Sequence, residues 1–283
     1  MNGEWFNETL YPDHQQRFLI EKVLFRHKSE FQDITIFENA RFGRVLTLDG
    51  VVQTTERDEF VYHEMLSHVP ILAHGNVRKV CIIGGGDGGA LEEVLKHPGV
   101  AKATMVEIDR AVVDLSKEYL PSICGRAFED PRTDLVIADG VKFVAETTER
   151  YDVMIVDSTD PIGPAEVLFE LDFYRNCARC LTEDGIIVTQ SGVSYMQSEE
   201  ARTMHRRLGA VFADAGFYLA QVPTYATGFM TLGWGCKSKR PRARPLGDVA
   251  RDYAALDLGT RYYNPEIHAA CFALPNYVRL LMG

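Results

Sequence analysis

The sequence predicts an α/β protein: a mostly parallel sheet with helices on both faces, behind a small N-terminal antiparallel β unit. Three observations carry that expectation. From Lys79 onward, short apolar runs of β type alternate with segments of helical periodicity. Within them, Ile82-Ile83-Gly84-Gly85-Gly86-Asp87-Gly88-Gly89-Ala90 reads as a buried strand, a glycine-rich turn and a helix start. Before Lys79, short β runs are separated by turn residues.

Taken in order, Phe18–Phe25, Ile34–Phe37, Val45–Leu48 and Val51–Thr54 are rich in β-branched or aromatic residues. Asn39, Gly43 and Asp49-Gly50 punctuate them, and Asp-Gly is a strong hairpin signal. Residues 58–72 read as an amphipathic helix with Phe60, Val61, Met65, Leu66 and Val69 on the apolar side. Strands are then expected at 80–83, 103–107, 133–138, 153–157, 185–190, 217–222 and 229–236. Helices are expected at 90–96, 111–119, 141–147, 171–181 and 199–215. The chain accordingly divides into a β-strand domain over 1–55 and an α/β domain over 56–283. The basic, Pro-containing segment 237–244 reads as a solvated loop.

Composition narrows the function. The chain has 283 residues, 46% of them hydrophobic and 25% charged, as in ordinary globular proteins. A net charge of −10 argues against nucleic acid or an anionic membrane as partner. No apolar run approaches the ~20 residues of a membrane span, and Met1–Trp5 lacks the texture of a signal peptide. A cytoplasmic protein is expected, and its six cysteines read as reduced thiols. Cys177 and Cys180 form a C-x-x-C inside a helical pattern with no second pair, and His63 and His68 are five apart rather than four. No metal site is expected.

The strand ends carry the chemistry. The first ends in Gly84–Asp87, the second in Glu107-Ile108-Asp109, the third in Asp139-Gly140 and the fourth in Asp157-Ser158-Thr159-Asp160-Pro161. Taken alone, each of these acids reads better as a turn or helix-cap residue. Four successive strand ends bearing acids, with no Lys or Arg for phosphate, suit an adenosine without phosphates attached to a cationic arm. Glu107 lies where an acid binds ribose hydroxyls. Asp87 puts a fixed negative charge where a pyrophosphate would otherwise sit.

These segments, together with Leu48–Phe60, Val222-Pro223-Thr224-Tyr225 and Tyr262-Tyr263-Asn264-Pro265, resemble spermidine synthase, the polyamine aminopropyltransferase family. The resemblance spans residues 5–275. It implies a Rossmann-like, methyltransferase-type domain behind the small β domain, and homodimers or homotetramers. It also implies transfer of an aminopropyl group from decarboxylated S-adenosylmethionine to putrescine, with the donor as co-substrate and no cofactor. By that pattern Gln32 and Glu107 hold the nucleoside, Asp139 and Gly140 the adenine, and Pro164 its far side, with Gln53 near the donor. Tyr62, His63, Asp87, Asp157, Ser158, Thr159, Asp160 and Tyr225 face the amines, and residues 161–170 form a lid. His63 also admits a plain packing role.

The residues suggest how such a reaction runs. An amine of pKa ~10.4 is neutral in only about one molecule in a few thousand at pH 7, so freeing it costs on the order of 4–5 kcal/mol. Asp157 is the candidate general base, Asp160 the grip on the ammonium, and in-line displacement at the sulfonium carbon follows from alignment. Asp87 attracts the decarboxylated donor's ammonium and repels the extra carboxylate of intact S-adenosylmethionine. A nicotinamide oxidoreductase, a methyltransferase and a non-catalytic polyamine-binding module are the rival readings.

Overall fold

The computed structural model describes residues 3–159, 168 and 170–283. Strands β1 (Trp5–Asn7) and β2 (Arg17–Leu19) form an antiparallel hairpin. A four-stranded antiparallel sheet follows, in the order β3 (Lys22–Lys28), β4 (Asp33–Asn39), β5 (Gly43–Leu48), β6 (Val51–Thr55). The run expected at 18–25 is thereby split. The N–H of Ile20 still bonds back to Glu4, while that of Glu21 bonds across to Glu38. Asp49 and Gly50 both take positive φ, 48° and 80°, the turn that an Asp-Gly hairpin needs.

Alternation along these strands loads both faces of the sheet. Ile34, Ile36, Leu46 and Leu48 pack on Val112, Leu115, Leu120 and Ile123, which belong to α3 (Arg110–Tyr119), Leu120 and α4 (Pro121–Cys124). Phe37, Val45 and Val52 pack instead on Phe18 and Ile20. Each such aliphatic chain contributes about 1.5–3 kcal/mol on burial, so the small sheet is fastened to its neighbour as firmly as to its own hairpin.

The large sheet has seven strands: β7 (Lys79–Gly84), β8 (Lys102–Glu107), β9 (Thr133–Ile137), β10 (Tyr151–Asp157), β11 (Leu181–Val193), β12 (Asp214–Gln221) and β13 (Phe229–Cys236). Their order is β12-β13-β11-β10-β7-β8-β9, with β7 to β11 parallel and β13 antiparallel to both neighbours. On one face Ile82, Val153, Ile155 and Val188 meet α1 (Glu59–His74) and α2 (Gly89–Leu95). On the other, Cys81, Ile83, Met154 and Ile187 meet α6 (Leu171–Cys180) and α7 (Ser198–Gly209). The mostly parallel, Rossmann-like sheet with a small antiparallel unit is the expected fold. β7 is the switch point, with β8 on one side and β10 on the other, and a crevice opens beyond their carboxyl ends.

Four further features depart from the expectation. Helix α7 ends at Gly209 rather than near 215, and β12 starts at Asp214. Asp214 accepts from the Trp234 indole N–H at 3.1 Å and pairs with Arg242, partners that local periodicity does not reveal. Helix α1 is buried continuously from Val61 to Ala73, not on one face. Its Glu64 accepts the backbone N–H groups of Arg261, Tyr262 and Tyr263 at 2.7, 2.8 and 2.7 Å, so the polar side is covered by the C-terminal segment. Helices α8 (Leu246–Ala254), α9 (Pro265–Ala270) and α10 (Asn276–Leu281) were not foreseen. In segment 237–244, Lys239 and Arg240 are exposed as expected, but Arg244 turns inward to Asp252 and the Leu72 carbonyl. All six cysteines are free and buried. Among the described residues no helix is long and apolar enough to cross a membrane.

Candidate active site

The crevice is a cavity of about 190 Å³. Its floor is the glycine-rich turn after β7. Gly84 pairs with Asp157 across the two central strands and takes φ +81°, and a Cβ there would collide with the Asp157 carbonyl oxygen. Only glycine allows β10 to bring Asp157 that close to the turn.

Asp157 accepts a hydrogen bond from the Tyr62 hydroxyl at 2.8 Å. Burial, reinforced by the nearby Asp87 carboxylate, pushes its carboxyl up to about 6, against the pull of His63 and Tyr62. Asp87 accepts the Gly89 N–H at 2.9 Å, holding its own turn, and faces His63 Nε2 at 3.4 Å. His63 Nδ1 lies 2.8 Å from Glu59. Burial opposes charge on His63, yet Asp87 and Glu59 outweigh it and hold the ring well above the usual histidine range. One donor atom from each of His63, Asp87 and Asp157 lies within 4.8 Å of the others, a spacing that one cation could span.

The wall that carries Glu107 is built differently. Glu107, at the tip of β8, accepts the Asp109 N–H at 2.8 Å, and burial pushes its carboxyl up to about 7. Gln32 reaches in from the β3–β4 turn and donates to Asp109 at 3.0 Å. Asp139 caps α5 (Gly140–Glu146) through the N–H groups of Val141 and Lys142, so the helix-cap reading holds alongside its place in the cavity wall. Tyr225, from the loop after β12, donates to the Gln53 carbonyl at 2.7 Å, and its ring stands 6.0 Å from that of Tyr62.

Twelve expected site residues line this one cavity: Gln32, Gln53, Tyr62, His63, Asp87, Glu107, Asp139, Gly140, Asp157, Ser158, Thr159 and Tyr225. Asp160, Pro164 and most of the expected lid over 161–170 lie outside the described residues; Leu168, from that stretch, lines the cavity. Sequence reasoning missed Glu8, Tyr11, Gln190 and Gln197, which also line it. Gln190 closes the strand expected at 185–190, so the rule that found the acids could have found it too. Glu8 gave no such signal. It is buried through long-range bonds, accepting the Val52 N–H at 3.0 Å and a Gln16 amide N–H at 3.2 Å.

Fold and cavity together define a Rossmann-like protein with an acidic pocket at its switch point. Residues 59–243 match the spermine/spermidine synthase domain and residues 4–56 the spermidine synthase tetramerisation domain. A polyamine aminopropyltransferase of Pseudomonas aeruginosa is 56% identical over 278 residues, covering 98% of this chain and 97% of that protein. One from Pseudomonas syringae pv. tomato is 54% identical over 273 residues, covering 96% of each. A spermidine synthase crystallised with the transition-state analogue AdoDATO superposes with a TM-score of 0.94 at 38% identity, covering 99% of this chain and 95% of that one. The spermidine synthase of Thermotoga maritima gives 0.93 at 37%, covering 100% and 95%. The chain belongs to the spermine/spermidine synthase family and is a polyamine aminopropyltransferase.

Proposed function

We propose that the chain transfers the aminopropyl group of decarboxylated S-adenosylmethionine to putrescine, giving spermidine and methylthioadenosine, with Asp157 as general base. One observation carries the reading: a buried carboxyl hydrogen-bonded to Tyr62, its ionisation raised to about 6 beside a second acid in the same cavity. A base that is ionised at neutral pH yet readily protonated is matched to deprotonating an ammonium.

In this reading Asp157 takes one proton from the acceptor ammonium. The freed lone pair attacks the methylene next to the sulfonium, a new C–N bond forms, and the C–S bond breaks with its electrons going to sulfur. One proton per turnover leaves the site. The acceleration comes from holding nitrogen and carbon in line, and the sulfonium is itself the leaving group, so the scheme draws on no cofactor. Glu107, Gln32, Gln53, Asp139, Gly140 and Pro164 hold the donor nucleoside. Asp87 holds its ammonium, and Tyr62, His63, Ser158, Thr159, Asp160 and Tyr225 line the path of the acceptor. Support for oligomers comes from the match of residues 4–56 to a tetramerisation domain; a homodimer or homotetramer in the cytoplasm is the form proposed.

Competition among putrescine, cadaverine and longer polyamines, with products read by mass, tests the proposal. Spermidine is expected as the main product from the decarboxylated donor. A methylated product from intact S-adenosylmethionine, or preference for another amine, overturns it.

A further inference from the structure

His63 faces a carboxylate through each ring nitrogen, Glu59 at 2.8 Å from Nδ1 and Asp87 at 3.4 Å from Nε2. A neutral imidazole carries one N–H and one lone pair, so one of these carboxylates would meet a lone pair. Only the imidazolium donates both ways. The ring is also pinned. It packs edge-on to Tyr62, with centroids 5.4 Å apart, and against Gly89, where a Cβ would collide with it. His63 is 1% exposed, so neither water nor a rotation can relieve the pairing.

The ring is thus paired with Asp87, the carboxylate to which the proposed function assigns the ligand's ammonium. The second Asp87 oxygen accepts the Gly89 N–H. An incoming ammonium therefore meets a resident cation of like charge that has no room to swing away. What can move is the proton. We propose that His63, positioned by Glu59, is a resident imidazolium that gives up its Nε2 proton through Asp87 when a ligand ammonium takes that proton's place beside Asp87. The Nδ1–H stays on Glu59, the freed Nε2 lone pair faces the ammonium, and the proton passes from Asp87 to bulk water. The Asp87 side chain is 13% exposed, against 2% for His63, so the exit lies on its side. The charged and titratable groups facing the ring are Glu59 and Tyr62 on α1, Asp87 on the turn and Asp157 on β10.

The inference rests on the ammonium reading of Asp87, but its first half stands without any ligand. Nitrogen NMR of histidine-labelled enzyme at pH 8, with the His63 signals assigned from His63→Gln, reads the ring directly. An imidazolium is expected in the free enzyme and a neutral ring in the complex with methylthioadenosine and spermidine. Methylthioadenosine alone, being uncharged, leaves the imidazolium in place. In Glu59→Gln the ring is expected to be neutral already in the free enzyme. Below the ionisation of His63, wild-type affinity for spermidine tightens about tenfold per pH unit, and this dependence disappears in Glu59→Gln. A neutral ring in the free wild-type enzyme, or an imidazolium that survives in the complex, overturns the proposal. Asp87→Asn separates the two readings. Wild-type affinity for spermidine in that variant sinks the ammonium assignment, while the charge state of the free enzyme still reports on the Glu59–His63 pair.

Discussion

Removing one hydroxyl, Tyr62→Phe, isolates what sets the ionisation of the proposed base. The hydroxyl donates to Asp157 at 2.8 Å and is one of two groups that hold its carboxyl down against burial and Asp87. A hydrogen bond to a charged group contributes about 1.5–3 kcal/mol, and 1.36 kcal/mol is one pKa unit. Its loss should therefore raise the Asp157 ionisation from about 6 to roughly 7–8. At pH 7 the ionised fraction falls from about nine-tenths to somewhere between a half and a tenth. Activity at pH 7 should drop by roughly 2- to 10-fold and recover near pH 9. The assay is kcat/KM against pH, which reports ionisations of the free enzyme. An acid limb with an unmoved midpoint would refute both the role of Tyr62 and the assignment of Asp157 as the group that titrates.

Other substitutions probe neighbouring parts of the site. Asp157→Asn should lower turnover far more than donor affinity, with comparable losses in both showing that the residue merely holds ligand. The same variant should raise stability. A carboxyl lifted from 3.8 to about 6 stabilises the fold fully below its unfolded value and loses that contribution as pH rises through 6, up to about 3 kcal/mol. Urea unfolding of the ligand-free protein should show the gain at pH 8 and little of it at pH 4, and equal gains at both would contradict the sign. Asp87→Ala should relax rejection of intact S-adenosylmethionine, and unchanged discrimination would remove the charge account of donor choice. Asp58 receives the Thr55 hydroxyl at 2.6 Å and both donors of Thr224, next to Tyr225. Asp58→Ala should raise KM for the amine more than for the donor, with a stability loss of about 2–4 kcal/mol seen by calorimetry; equal effects on both substrates would place its role elsewhere.

Much of this was written in local sequence. Parallel strands buried on both faces make near-continuous apolar runs, so β7, β8 and β10 were visible, and the acids at their tips marked the crevice. Asp49-Gly50 announced its hairpin because the turn requires positive φ. What stayed hidden depends on distant partners. Helix α1 reads as amphipathic because Glu64, Ser67 and His68 are polar, yet its polar side meets α2 and the segment at 261–263. Glu8 carries no motif, and its burial follows from a strand more than forty residues away, |i−j| = 44. The early end of α7 reflects Asp214 and Trp234, whose pairing no periodicity encodes.

One bond in the cavity wall has a wider consequence. The Tyr225 hydroxyl reaches the Gln53 carbonyl across 172 positions of sequence, joining the small antiparallel sheet to a loop of the large one. Closing a contact between segments so remote carries a loop entropy that local pairs do not. A molecule filling the crevice grips both sides of that seam. By mass action it stabilises the seated arrangement of the two parts along with itself.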